Sequence, residues 1–335
     1  MNQFLALLSH EEKQLVMYPI DAPQRRAWAN PELYLFRNGI RLENVDETVR
    51  TAVHSVIQST FSPEGFQKAL SAMKTNEFLG ELVNAPGVLN MHSYNFLTFG
   101  NPSTTEPFGW LLYGHHLCLS VFVWKTQIVV APTFVGAEPN VIDRGPHQGT
   151  QILQSEQDLG LRFMKSLSKD LQSKAQIFKT LQPPEIPEDR WNPADQRHLC
   201  GACQDNRIVP YEGISVGGLE PSLVQLLLQI VEQFIIYLPA QARKNKLAQV
   251  ERHIQDTHFC WIGGFTNDDP FYYRIQSPVI VVEFDHHSAV FLTNTEPARF
   301  HTHTIVRNPN GGDYGYALLN RGKDIMGRMV YDCKS

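Results

Sequence analysis

Residues 114–124, with the sequence GHHLCLSVFVW, are the stretch that decides how this chain folds. Residues 116–124 are predicted to form a β-strand. Within LCLSVFVW nearly every residue is apolar, which is typical of a strand buried on both faces. Two adjacent histidines stand at its beginning. We therefore predict that this strand lies in the middle of a sheet and that the two histidines lie at one of its ends.

Further strands are predicted on both sides of this stretch, because short apolar runs alternate with turn residues. A polar segment with two prolines, residues 101–107, separates two of them, and Asn310-Gly311-Gly312 is a strong turn signal near the other end. The predicted strands cover residues 94–99, 110–113, 128–134, 258–263, 272–276, 279–284, 289–293 and 301–306.

Helical periodicity flanks these strands. In residues 42–58 apolar side chains recur every four positions, and Ser62-Pro63 is typical of a helix start. Residues 150–181, 219–247 and 316–331 are also predicted to be helical. The fold class predicted is α+β: a mixed or antiparallel sheet that carries the histidine motifs, packed with N-terminal, middle and C-terminal helices. We expect one domain, residues 1–335, with a surface excursion around residues 183–215.

Composition limits the function classes. The chain has 335 residues, of which 42% are hydrophobic and 19% charged, and a net charge of −5. These values indicate a globular protein and argue against nucleic acid as a partner. No apolar run approaches the roughly 20 residues of a membrane helix, so no membrane partner is expected. Five cysteines, an odd number, predict reduced thiols and a cytoplasmic location. The oligomeric state is left open.

The thirteen histidines are the unusual feature, because most lie in tight groups. His301 and His303 are two residues apart on a predicted strand, so their side chains project to the same side. Neutral imidazole is a strong ligand for iron, zinc, copper and nickel. This pair is therefore predicted to bind a divalent transition metal, with iron first and zinc or copper next.

Further ligands are predicted from two adjacent pairs, His115-His116 and His286-His287. Neighbouring residues on a strand face opposite ways, so we expect one histidine of each pair to face the metal. The nearby carboxylates Glu283 and Asp285 are the predicted catalytic acid–base residues. Two histidines and a carboxylate would suit non-haem iron, and three or four such ligands would suit zinc equally well.

Substrate contacts are predicted from residue chemistry. A guanidinium matches a carboxylate in shape, so Arg274 and Arg307 are candidates for binding an acidic group. Tyr273 and Trp110 are candidates for an aromatic wall against a flat or apolar small molecule. Aromatic residues also build ordinary cores, and arginines more often form structural ion pairs.

The segment His198-x-Cys200-x-x-Cys203 resembles half of a structural zinc site. Such sites usually need four ligands, and no second pair of this kind follows. We interpret it as a loop with two free thiols.

Several short motifs agree in order with a known family. They are Phe99-Gly100-Asn101-Pro102, Gly109-Trp110, Gly114-His115-His116-Leu117, Pro132-x-Phe134-x-Gly136-Ala137-x-Pro139, Gly145-Pro146, residues 272–278 (YYRIQSP) and His301-x-His303. Together they resemble a family of bacterial and fungal proteins catalogued as domain of unknown function 3500. The resemblance implies that the Gly-His-His and His-x-His segments are signature elements.

The chain departs from the common bacterial form of that family at two places. Asp285-His286 replaces Asp-Asn, and residues 306–308 (VRN) replace Trp-Arg-Asp. These differences weaken the case for His286 and His287 as ligands.

Three function hypotheses follow. The first is a metal-dependent enzyme that acts on a small organic molecule, with oxidative chemistry at non-haem iron or copper. The second is a zinc-dependent hydrolase or lyase, in which a metal-bound water is activated by a carboxylate or a spare histidine. The third is a non-enzymatic small-molecule-binding or scaffold protein with structural histidines.

Overall fold

The structure, a computed structural model, describes residues 1–30, 35–205, 207–288 and 290–320. The fold is α+β, as predicted, and its centre is one mixed sheet of twelve strands. None of the helices in these residues combines the length and apolar character that a membrane crossing requires.

The strands are β1 Met17–Tyr18, β2 Ile40–Arg41, β3 Tyr94–Phe99, β4 Phe108–Gly114, β5 Leu117–Trp124, β6 Gln127–Ala137, β7 Gln176–Phe178, β8 Ile214–Ser215, β9 His258–Gly263, β10 Phe271–Gln276, β11 Val281–His286 and β12 Thr302–Arg307. Their order across the sheet is β1-β3-β4-β5-β6-β12-β11-β10-β9-β7, with β2 beside β3 and β8 beside β9. Only the β1–β3 and β7–β9 pairings among these strands are parallel. The pairing of β6 with β12 joins the two halves of the chain.

The helices are α1 Asn2–Leu7, α2 His10–Val16, α3 Glu47–Thr60, α4 Pro63–Leu82, α5 Gln154–Ser166, α6 Lys169–Ala175, α7 Pro221–Phe234, α8 Ala240–Arg252 and α9 Tyr316–Leu319. The start predicted for α4 is present: Ser62 Oγ accepts a hydrogen bond from the backbone N of Gly65 at 2.9 Å, and Pro63 occupies the first turn. Such caps satisfy backbone N–H groups that have no partner within the helix.

Several predicted elements differ in the structure. The helix expected over residues 150–181 is two helices, because Ser168 caps α6 after α5 has ended. The helix expected over 219–247 divides before Pro239, which precedes α8 and lacks a backbone N–H donor.

The predicted strand 289–293 was wrong in its described part. Residues 290–293 form no strand, and the backbone N of Leu292 instead donates to the Glu138 carboxylate at 2.7 Å. The predicted C-terminal helix is described only as far as α9, and its residues 321–331 lie outside the described part of the chain.

The sheet has two different faces. One packs against α3, α4, α5 and α7 through the main apolar core. Alternation along β12 shows the contrast: Val306 belongs to that core, whereas Ile305 packs on the opposite face. His303 and Arg307 share the face of Ile305 because side chains alternate along a strand. The second face therefore carries a row of buried polar groups.

Two loop segments cover this second face. Ala22 and Trp28 come from the N-terminal segment, and Cys200 comes from the segment after α6. The surface excursion predicted around residues 183–215 is therefore only partly on the surface, since residues 195–200 are buried. The polar, proline-rich composition of that loop does not predict its burial, because the burial depends on partners that lie elsewhere in the sequence, on the sheet. Cys203 also differs from the expectation of reduced thiols, because it forms a disulfide.

Candidate metal centre

The Gly-His-His motif lies in a tight hairpin turn rather than at the start of a strand. Gly114, the last residue of β4, pairs with Leu117, the first of β5, so the two histidines form the connection. His116 has a φ of 58°, a left-handed conformation that is uncommon for a residue with a side chain. The turn leaves the His116 ring buried beside β12.

The first ligand group consists of His116, His301 and His303, all at most 4% exposed. His303 Nε2 lies 2.9 Å from His301 Nε2 and 3.0 Å from His116 Nε2. Ligands bound at about 2.1 Å lie roughly 3.0 Å apart at right angles and roughly 3.4 Å apart in a tetrahedron. The spacing of the three nitrogens therefore fits one metal ion.

Hydrogen bonding among the three rings cannot satisfy this arrangement. A ring nitrogen of neutral imidazole carries either one proton or one lone pair. His303 Nε2 therefore cannot form two separate hydrogen bonds, one to His116 and one to His301. His301 Nδ1 also has no hydrogen-bond partner among the described residues. A cation that accepts all three lone pairs removes this conflict.

Gly136 makes room for the rings. It lies on β6 directly opposite His303 of β12. A Cβ atom at this position would lie 2.8 Å from a ring carbon of His303 and 2.9 Å from one of His116. Such distances are too short for carbon atoms that are not bonded. The absence of a side chain is therefore a packing requirement of the histidine group.

The electrostatic environment keeps these imidazoles neutral. Burial lowers the pKa of His301 to about 3. Burial, reinforced by the neighbouring imidazoles, holds the pKa values of His116 and His303 well below the usual range. Neutral imidazole is the form that binds metals. Each ring is therefore neutral at neutral pH and has one nitrogen whose lone pair can bind a metal.

A second group, His198, Asp285 and His287, lies beside the first, and its ligand atoms also fall within 4.8 Å of one another. The rings of His287 and His303 are 3.7 Å apart between centroids. Arg197 holds Asp285 with two hydrogen bonds, of 2.6 and 2.9 Å, and both side chains are fully buried. The two histidine-rich groups could each hold a metal ion.

Three residues in or beside these groups were not predicted from the sequence: His198, Glu138 and Asn30. His198 was assigned to a free-thiol loop. Glu138 Oε2 lies 3.9 Å from His301 Nε2 and has no hydrogen-bond partner among the described residues, and burial raises the pKa of this carboxyl. Asn30 Nδ2 lies 3.3 Å from His303 Nδ1 and orients that ring. Glu138 stands directly after β6, two residues beyond Gly136, and this position was a signal for it in the sequence.

Two predicted ligands lie outside both groups. His115 stacks on the ring of His116 at 3.8 Å, and its Nδ1 pairs with Asn76 Oδ1 at 2.8 Å. His286 points to the helix-covered face, where its Nδ1 accepts from the backbone N of Phe271 at 3.0 Å and its Nε2 lies 2.9 Å from Gln157 Oε1. Both nitrogens of His286 are thus engaged.

The two predicted catalytic carboxylates have different surroundings. Asp285 belongs to the second group. Glu283, two residues earlier on β11, accepts hydrogen bonds from the backbone N atoms of Leu199 and Cys200, both at 2.9 Å, and from the Tyr272 hydroxyl at 2.6 Å. These contacts fasten the loop that carries His198 to the sheet.

The four predicted substrate-binding residues are all buried and have internal partners. The guanidinium of Arg274 contacts Glu212, and that of Arg307 contacts Asp205 and Asp313. The Tyr273 hydroxyl donates to the backbone O of Glu156, and Trp110 Nε1 donates to Thr60 Oγ1. The substrate-binding assignments remain predictions.

A large surface groove lies elsewhere. It has a volume of about 1010 Å³, and its lining includes residues 126–130, side chains of α8 and residues 308–310. No member of either ligand group lines it. The groove and the two ligand groups are therefore separate features of the described structure.

Comparison with known proteins identifies a family. No curated protein and no solved structure matches the chain significantly. The family model described as "Protein of unknown function (DUF3500)" matches residues 1–316. The chain, with its two buried histidine groups, therefore belongs to the DUF3500 family of proteins of unknown function.

Proposed function

We propose that this protein is a metal-dependent enzyme that carries out oxidative chemistry on a small organic molecule. The observation that supports the proposal most strongly is the convergence of three Nε2 atoms, of His116, His301 and His303, in a buried and neutral cluster. Burying so many polar atoms without hydrogen bonds is costly unless a ligand compensates.

Iron is proposed as the metal, with zinc or copper next. Imidazole suits all three metals, and a mixed set of histidines and a carboxylate with open positions suits non-haem iron. Glu138 beside the first group, and Asp285 in the second, supply such carboxylates. The Phe134 ring packs edge-on against His303, and Trp28 stacks on Phe134, so this side of the cluster is lined by aromatic rings. A small-molecule substrate and a cytoplasmic location accompany the proposal.

A zinc-dependent hydrolase is the second candidate, and Glu138 is the specific observation that favours it. Its pKa is raised by burial, and its free Oε2 lies near His301. A carboxylate with a raised pKa beside a metal can act as a general base towards the water that zinc acidifies.

Elemental analysis of protein purified without a histidine tag tests the proposal. The wild type is compared with His301→Ala/His303→Ala and with His286→Asn. The last is a matched control, because His286 is buried in the neighbouring strand but has both ring nitrogens bonded.

Near-stoichiometric iron or copper that is lost in the double variant and kept in the control would support the oxidative enzyme. Zinc with the same pattern would favour the hydrolase. Protein without metal, whose thermal stability is unchanged by chelators, would overturn both and favour a binding or scaffold role.

A further inference from the structure

The second group contains an unusual buried histidine. His198 is 3% exposed, and neither of its ring nitrogens has a hydrogen-bond partner among the described residues. Its ring lies 5.8 Å from that of His287 and 6.3 Å from that of His303, measured between centroids. A buried imidazole without any hydrogen bond is unfavourable unless one nitrogen binds a ligand.

The contact between Asp285 and His287 also points to a missing partner. His287 Nε2 lies 2.9 Å from Asp285 Oδ2 but lacks the alignment of a hydrogen bond. Two unaligned electron-pair donors at this distance are typical of ligands that share a cation.

The side chains of the second group are held in place. Arg197 donates hydrogen bonds to both carboxylate oxygens of Asp285, and it also donates to the backbone O of His286 at 2.6 Å. Glu283 fixes the backbone directly after His198. Such supporting contacts orient ligands before a metal binds, and they are a regular feature of metal sites.

The two groups are adjacent but distinct. Three ligand atoms fall within 4.8 Å in each group, and the six atoms do not form one larger group at that spacing. The rings of His287, from the second group, and His303, from the first, lie 3.7 Å apart between centroids and are tilted by 40°, so the two groups are in direct contact. Each group by itself therefore brings together enough ligand atoms for one cation.

We infer that the centre binds two metal ions, the first at His116, His301 and His303 and the second at His198, Asp285 and His287. This inference rests on the proposed function, since it assumes that the first group binds metal. Two adjacent ions can together hold a substrate or stabilise charge at two atoms. The ligand sets differ, because the first is three histidines with Glu138 3.9 Å from His301 and the second is two histidines with Asp285, so we expect the two ions to bind in separate steps.

Titration of metal-free protein with cobalt(II), followed by its visible absorption and by calorimetry, tests the inference. The wild type should bind two equivalents per chain in two steps. His198→Gln should bind one equivalent and retain the spectrum of the first site. His116→Gln should bind one equivalent with the spectrum of the second site, and His286→Asn should still bind two.

Folding is checked by near-UV circular dichroism of each metal-free variant, and His198→Asn serves if His198→Gln does not fold. A wild type that binds one equivalent, unaffected by His198→Gln, would overturn the second site and leave the proposed function standing. One equivalent lost in both His198→Gln and His116→Gln would show a single shared site and also overturn the inference. A wild type that binds no cobalt would overturn the inference and the proposed function together.

Discussion

Two regions of the polar sheet face lie on the same strands and are equally buried, but their polar groups differ in whether they have hydrogen-bond partners. At one end of β11 and β12 lie Glu283 and Arg307, and at the other end lie Asp285 and His303. We call the first region, Arg274, Glu283, Arg307 and their partners, the paired network. The second region consists of the two ligand groups.

The difference lies in hydrogen-bond satisfaction. Arg307 donates to Asp205 and Asp313 and to the backbone O atoms of Cys200 and Gly201. In the ligand groups, by contrast, nitrogens of His198, His287 and His301 have no hydrogen-bond partner among the described residues. Buried polar groups are normally satisfied. The paired network is therefore satisfied internally, and the unsatisfied region is where the proposed metal ions would bind.

The largest effect is expected from a substitution that breaks the paired network. Arg307→Met leaves Asp313 without its ion-pair partner and Asp205 with only Arg26, at 3.7 Å, and removing one partner of a buried ion pair costs about 3–5 kcal/mol. Denaturant unfolding measures this loss, with exposed Arg162→Met as the control. The folded fraction should keep its metal at the first group. Loss of metal without loss of stability would contradict the division between the two regions.

Metal removal is expected to have the next largest effect. A metal that binds only the folded chain stabilises it by about 2.7 kcal/mol at 100 times its Kd. Thermal unfolding with and without a chelator measures this increment. The increment should shrink in His303→Ala, because this histidine is central to the first group. An equal chelator effect in both proteins would mean that the metal binds elsewhere.

Gly136→Ala should crowd the first group directly. The added methyl would meet the rings of His303 and His116, and overpacking of this kind typically costs about 1–3 kcal/mol. Metal affinity should fall together with stability. Gly87→Ala is the matched control, because a Cβ there meets no atom within 4 Å. Unchanged metal affinity in Gly136→Ala would show that the rings can move aside freely.

Asn30→Ala tests how finely the first group is oriented. Asn30 contacts His303 Nδ1, and loss of such a supporting contact typically weakens metal binding about 10- to 100-fold. Competition with a chromophoric chelator measures the affinity, with exposed Asn101→Ala as the reference. An affinity equal to that of the reference would show that packing alone holds the ring.

The smallest effect concerns His54 and His92, which also have a ring nitrogen without a partner. Their rings are 6.4 Å apart and only partly buried, so two ligands alone should not bind metal tightly. Burial lowers the pKa of each below the ordinary value of 6.5. The unfolded chain therefore binds more protons, and stability is lost as pH falls below 6.5. Unfolding of His54→Gln/His92→Gln between pH 7 and pH 5 should show a weaker pH dependence than the wild type.

Local rules predicted part of the centre. The two-residue period of a strand placed His301 and His303 on one side, and the same period separates His286 from His287. Whether His115 or His116 joins the first ligand group was not predictable from the sequence. That choice depends on the turn after β4, where His116 takes a left-handed conformation and His115 turns to Asn76.

By itself, the sequence determined the α+β class, the strand that the structure places at Leu117–Trp124, the family and the pairing of His301 with His303. These features depend on periodicity and composition, which act over a few residues. Only the tertiary structure decided that His116, His198 and Glu138 join them. These residues meet because β6 pairs with β12 and because Glu283 accepts hydrogen bonds from Leu199 and Cys200, in the loop that carries His198. Such contacts depend on burial across the whole chain, and no spacing rule within one segment encodes them.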